Sequence, residues 1–187
     1  MPRGVIVPDA RTQVLDAAEE LFYGRGIQSV GIDEVRAASG VSLKRLYQLF
    51  PGKDALVREF LHRRDERWRR RLADFVAQRD SPEEQVLAVF DWLHTWFSEP
   101  GYRGCAFINS FGELGAVSTA VAEEVLVHKT AVRAYLGGLV AAAGRGPELA
   151  DHLLLLVEGA IVTSAVMGDP AAATHGRAAA ATLLARA

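Results

Sequence analysis

With a single cysteine, Cys105, in 187 residues, the sequence cannot form an intrachain disulfide or a Cys-cluster metal site. Disulfide scaffolds and zinc fingers are therefore excluded. Long apolar runs are also missing: Leu153 to Val157 falls far short of the roughly 18 to 20 residues that cross a bilayer. Met1 to Val7 has no hydrophobic segment of the secretory kind, so the expectation is a cytoplasmic protein with no membrane partner. Lysine is scarce, 3 against 18 arginines, and alternation of β-branched residues is absent. Apolar spacings of three and four recur instead, which predicts an all-α fold. Half of the residues are apolar and 24% charged, enough to bury a core and too apolar for general disorder. The net charge of −2 hides an asymmetry. Up to Arg71 there are 14 Lys/Arg against 10 Asp/Glu, and from Leu72 onward 7 against 13, so the first third is the part suited to a polyanion.

Caps and breakers divide the chain into about nine helices. Asp9 after Pro8 caps a first helix with Val14, Leu15, Ala18, Leu21 and Phe22 on one face, ended by Gly24 and Gly26. Two short helices follow, Ile32 to Ser39 and, capped by Ser42, a third ending at Phe50, where Pro51 stops it. A long helix from Lys53 to about Arg79 is next, then one opened by Ser81 and Pro82 and broken after Phe97 by Pro100 and Gly101. Helices at Ala106–Leu114, Thr119–Ala143, Glu148–Met167 and Pro170–Ala185 complete the chain. The division expected is a head at residues 9–52 and a larger helical domain at 53–187.

Two short helices joined through Gly40, with Val35, Ala38, Val41, Leu46 and Phe50 spaced to share a core, make a helix-turn-helix. With Leu43, Leu46 and Phe50 turned inward, the second helix presents Ser42, Lys44, Arg45 and Gln48. These donors suit phosphates and base edges in a major groove, Arg or Lys for guanine and Gln for adenine. The same spacing also fits an ordinary helical hairpin with a solvated face.

The stretch AAEELFYGRGIQSVGIDEVRAASGVSLKRLYQLFPGKDALV decides between them, because it closely resembles the DNA-binding domain of the tetracycline-repressor (TetR/AcrR) family. The match runs ungapped from about Arg11 to Val57. It includes Leu21-Phe22 before Gly26, the turn Ala38 to Ser42, and Leu46-Tyr47 ahead of Phe50-Pro51-Gly52-Lys53. The resemblance implies that Tyr47 and Lys53 hold backbone phosphates, Lys53 at a helix start where the dipole favours an anion. Gly31 stands where the family often has a Ser or Thr cap, so that N-terminus is either weaker or binds phosphate through its amide. Arg36 replaces a small residue and must extend outward, where it is expected to add a phosphate contact. Lys44 and Arg45 replace small or hydroxyl residues. No cofactor is implied.

The resemblance further implies a homodimer on double-stranded operator DNA, with a small effector bound in the larger domain. Arg103 to Asn109 looks like the segment beside the family's effector cavity. Trp68, Phe75, Trp92, Trp96, Cys105, Phe107, Asn109, Phe111 and His128 are the expected lining, which suits an apolar or aromatic ligand. In the family the last two helices form the dimer interface, which assigns Leu153, Leu156, Ala160, Ser164, Leu183 and Leu184 to it here. Two other readings are weighed: a DNA-binding regulator with no effector, and an all-α enzyme using Cys105 as nucleophile and His128 as base, for which the sequence shows no third orienting group. Metal binding is not expected, because no His or Cys lies three or four residues after His94. The arginines from Arg63 to Arg71 read as a solvated, salt-bridged face.

Overall fold

The computed structural model describes residues 9–186. The sequence readings of Met1 to Val7 and of Pro8 lie outside them. Among the described residues the chain forms nine α-helices and no strand. They are α1 Ala10–Arg25, α2 Ile32–Ser39, α3 Leu43–Leu49, α4 Lys53–Val76, α5 Pro82–Phe97, α6 Ala106–Leu114, α7 Thr119–Ala142, α8 Glu148–Met167 and α9 Ala171–Arg186.

Local chemistry fixes most of these ends. The Asp9 carboxylate accepts from the Thr12 amide at 2.9 Å, and Ser42 accepts from Arg45 N at 3.3 Å. Ser81 and Glu84 satisfy each other's backbone amides at 3.2 and 3.3 Å, the reciprocal cap that the Ser-Pro-Glu-Glu start suggests. Gly40 has φ 69°, a conformation costly for other residues, and it turns the chain from α2 into α3. α4 stops at Val76, three residues before the Arg79 expected.

Helices α1 to α3 bury Val14, Ala18, Phe22, Val35, Leu46 and Phe50 in a small core that continues into Leu56 and Phe60 of α4. α4 thus belongs to both units and carries the head. In the larger unit α5 is enclosed, with α8 and α9 packed along it and α7 beside α4 and α5. Gly176 of α9 lies so close to Phe90 that an added Cβ would come within 2.9 Å of the ring, so no larger residue fits there.

α8 departs from the sequence reading. It is long and apolar enough by composition to cross a membrane, although no uninterrupted run reveals it. It packs against α7, α9 and α5, and its Glu158 is ion-paired with Lys129 of α7 at 2.6 Å.

Candidate nucleic-acid interface and regulatory core

α3 is held by Leu46 and Phe50, both fully enclosed, which leaves Ser42, Lys44, Arg45, Tyr47 and Gln48 exposed on the other side. Arg45 Nη1 donates to Gln48 Oε1 at 3.4 Å, so these two groups form one polar patch. Leu43, expected inside, is exposed beside Tyr47. It is the first residue of a helix of two turns, beyond the reach of the core that Leu46 and Phe50 build. Its exposed position adds an apolar group of the kind that meets a thymine methyl. Ala38 is likewise exposed, because the eight-residue α2 buries only Val35.

Gly31 is not left uncapped. Glu34 reaches back and accepts from its amide at 3.0 Å, and that contact with Arg25 holds the Glu34 carboxyl below its ordinary range. The Gly31 amide is therefore occupied here. Arg36 extends outward as expected, 3.9 Å from Asp33. Lys53, at the first turn of α4, has its ammonium 6.0 Å from the Phe22 ring.

The arginine run of α4 is salt-bridged, but mainly to a different helix. Arg63 donates to Asp16 at 2.7 Å and to Glu19 at 3.1 Å, Arg64 donates to Glu19 at 2.8 Å, and Arg67 also binds Glu19. One carboxylate of the head thus gathers three guanidinium groups of α4. Tyr23 of α1 adds a second tie: its hydroxyl donates to Gly104 O at 2.8 Å and accepts from Arg103 N at 2.8 Å. The head is fastened to the α5–α6 connection as well as to α4.

The expected effector residues divide into two groups. Trp68, Trp92 and Trp96 pack on one another with ring centroids 4.8 to 5.6 Å apart, and His128 lies edge-on to Trp68 at 5.4 Å. Phe107 stacks flat on the His128 ring at 3.7 Å, and Cys105 is buried beside it. Phe75, Asn109 and Phe111 stand apart from this cluster. Phe75 lies near the end of α4 under the Arg79 guanidinium at 5.1 Å. The nine-residue α6 buries Ala106, Phe107 and Ser110, so Asn109 turns to Arg103 O at 3.0 Å, and Phe111, 54% exposed, points to solvent.

At the centre is a carboxylate that the sequence reading missed. His128 Nδ1 and Asp65 Oδ1 are 2.7 Å apart, with the two residues 3% and 5% exposed. Burial alone would raise the Asp65 carboxyl, but hydrogen bonds from His128 and Arg69 outweigh it and hold the group at about 2. Burial likewise disfavours the His128 cation, and Asp65 reverses this and raises its pKa. The Cys105 thiol would also rise on burial, yet His128 and the Lys129 ammonium, 3.6 Å from Sγ, bring it below its ordinary value. The third group missing from the Cys105–His128 pair is thus present, but the assembly is enclosed. Asp65 was legible in principle as a carboxylate four residues after buried Leu61 on the core stripe of α4, with Arg69 a further turn on.

The dimer residues also divide. Leu153, Ala160, Ser164 and Leu184 are buried within the subunit, and Leu156 and Leu183 are half-buried. A helix that packs on three neighbours needs much of its apolar surface for its own core. The face of α8 left uncovered is Leu155, Gly159, Val162 and Val166, spaced by four, three and four.

The family model for bacterial regulatory proteins of the tetR family matches residues 14–60. An HTH-type transcriptional regulator from Mycobacterium tuberculosis is 36% identical over 78 residues, 42% of this chain and 39% of that relative, so the match spans well under half of the relative's length. The HTH-type transcriptional activator FasR of Mycolicibacterium smegmatis is 33% identical over 99 residues, 51% of this chain and 44% of the relative. Among solved structures, the reduced form of E. coli NemR shares the fold, with a TM-score of 0.83 at 20% identity over 92% of this chain and 95% of that one. A TetR-family transcriptional regulator from Streptomyces coelicolor is similar throughout, with a TM-score of 0.88 and 30% identity over 95% of each chain. An exposed basic face on α3, its ion-paired mounting on a helical body and end-to-end similarity to that regulator agree: the chain belongs to the TetR family of transcriptional regulators.

Proposed function

We propose that the protein is a homodimeric repressor that reads a near-palindromic operator through α3 and is released by a small aromatic effector. The observation that carries this is the division of α3 into an enclosed side, Leu46 and Phe50, and an exposed side bearing Lys44, Arg45, Tyr47 and Gln48. Residues 9–52 act as the reading head and 53–187 as the effector-binding and dimerising body. Two heads enter successive major grooves about 34–36 Å apart. Tyr47, Lys53 and the Ser42 end of α3 contact phosphate and set position; Lys44, Arg45 and Gln48 read bases, and Leu43 packs on a thymine methyl. The protein works in the bacterial cytoplasm on nucleoid DNA.

Release needs an effector whose affinity differs between the two head arrangements. The ties from Glu19, Asp16 and Tyr23 to the body are the contacts through which that difference acts. The enclosed Asp65–His128–Cys105 assembly supports an organising role at the centre of the body, since a substrate has no path to a sulfur only 5% exposed.

Two sets of variants test the interface. Lys53→Ala is expected to weaken operator and random DNA about equally and to make the log–log salt dependence shallower by about one unit. An unchanged slope means that Lys53 does not touch phosphate. Lys44→Ala and Arg45→Ala are each expected to cost about 1–3 kcal/mol at particular base pairs and little at others. If competition binding across operator variants shows uniform loss, these side chains serve the backbone only.

A further inference from the structure

Between α1, α4 and the turn after α5 lies a cleft of about 180 Å³, lined by Tyr23, Trp68, Trp96 and Tyr102 with Arg64, Arg67 and Arg71 at its edge. From Leu72 onward acidic residues outnumber basic ones 13 to 7, so that part of the chain offers a ligand few cations of its own. The structure supplies them from before that point, because one face of α4 brings Arg64, Arg67 and Arg71 beside Trp68. We propose that this cleft is the effector site and that it takes a single-ring aromatic monocarboxylate. The inference rests on the effector-responsive reading above and gives it a ligand class.

Size, shape and charge lead to that class separately. Enclosed volumes near 150 Å³ hold a benzene ring, whereas drug-sized ligands need about 300 Å³ or more, so one ring with a small substituent fits here. The walls are aromatic: Trp68 and Trp96 pack edge to face at 5.6 Å and Tyr102 lies edge-on to Trp96 at 5.1 Å. Planar rings are recognised by such edge and face contacts. Three guanidinium groups face the cleft against one carboxylate, Glu99. Glu99 already binds Arg71, and it occupies the place that a ligand carboxylate would take. The Arg71–Glu99 pair is exposed on both sides, 48% and 36%, and ion pairs of that exposure hold weakly, so an incoming carboxylate displaces Glu99 at little cost. A planar guanidinium also accepts a carboxylate through two parallel hydrogen bonds.

The site is placed to act on the head. Arg64 lies 3.8 Å over the Tyr23 ring and, with Arg67, binds Glu19 of α1. A ligand carboxylate that draws Arg67 away from Glu19 removes one of the ties between head and body. A neutral aromatic compound has no such leverage.

The test is titration calorimetry of the free protein, with tryptophan emission followed in parallel, using benzoate, benzamide and acetate. Benzoate is expected to bind saturably, with the neutral ring and the ringless anion each at least about tenfold weaker. Arg71→Gln should weaken benzoate about tenfold, while Glu99→Gln, which removes the internal competitor, should tighten it. Both positions are on the surface, and the ligand series on the wild-type protein stands even if a variant misfolds. Equal binding of benzoate and benzamide, no saturable binding, or loss of affinity in both variants overturns the assignment. Because the readout needs no DNA, its failure leaves the DNA-binding reading intact, and failure to find an operator leaves the cleft intact.

Discussion

Asp65→Ala is expected to destabilise the protein by about 3–5 kcal/mol, because removing one partner of a buried ion pair leaves the other uncompensated. For a chain of this length that lowers Tm by about 6–20 °C. The His128 ring, stacked on Phe107 and enclosed by Trp68, has no route to water once the carboxylate is gone. The pH dependence identifies the cause. The folded-state pKa of Asp65 is depressed to about 2 against about 3.9 for a free carboxylate, so its contribution is complete above about pH 4 and is lost as pH falls toward 2. The raised pKa of His128 acts in the opposite sense: its contribution is complete below about 6.5 and declines as pH rises through the folded value. The stability difference between wild type and Asp65→Asn, measured by urea unfolding, should therefore be largest between about pH 4 and 6.5. A difference that is flat across that range and below it shows that the pair is held by packing rather than charge.

Leu155→Glu is the second large effect. Leu155 and Val166 are 72% and 80% exposed on α8, and Leu155 and Gly159 border a groove against α9 near His175. If that stripe is the dimer face, a carboxylate on it gives monomers in sedimentation velocity. Operator affinity then falls by about 10²–10⁴, the gain that two linked heads have over one. The monomer should still fold cooperatively, since Leu155 is largely exposed on its own subunit. Ala160→Glu should do the reverse and unfold the subunit, because Ala160 is buried close to Gly176 of α9. A Leu155→Glu protein that remains dimeric places the interface elsewhere.

These two cases mark what the sequence does and does not reveal. Helix ends were legible because caps act within four residues: Ser81 with Glu84, Ser42 with Arg45 N, and Gly40 at positive φ. The exposed donors of α3 were legible for the same reason. The Asp65–His128 contact joins positions 63 residues apart, and among six neighbouring arginines Asp65 reads as part of a solvated face. Which side of α8 is left for a partner is hidden from the sequence for a related reason. α8 is apolar almost all round, so periodicity cannot say which side the subunit uses itself; only the positions of α5, α7 and α9 show that Leu153, Ala160 and Ser164 turn inward and Leu155 does not. The arginine run was correctly read as salt-bridged, but its main partner, Glu19, lies in the head. That distinction turns a surface feature into a mechanical link between the two units.

The claim that α3 of a dimer reads DNA is tested most directly by selecting fragments from a random double-stranded pool with the wild-type protein and with the Arg45→Ala variant. The account predicts a two-fold symmetric site for the wild type with half-sites about one helical turn apart. It predicts the same spacing with relaxed preference at one position in each half for the variant. Enrichment of no sequence, or of a site that Arg45→Ala leaves unchanged at every position while Lys44→Ala does likewise, contradicts it.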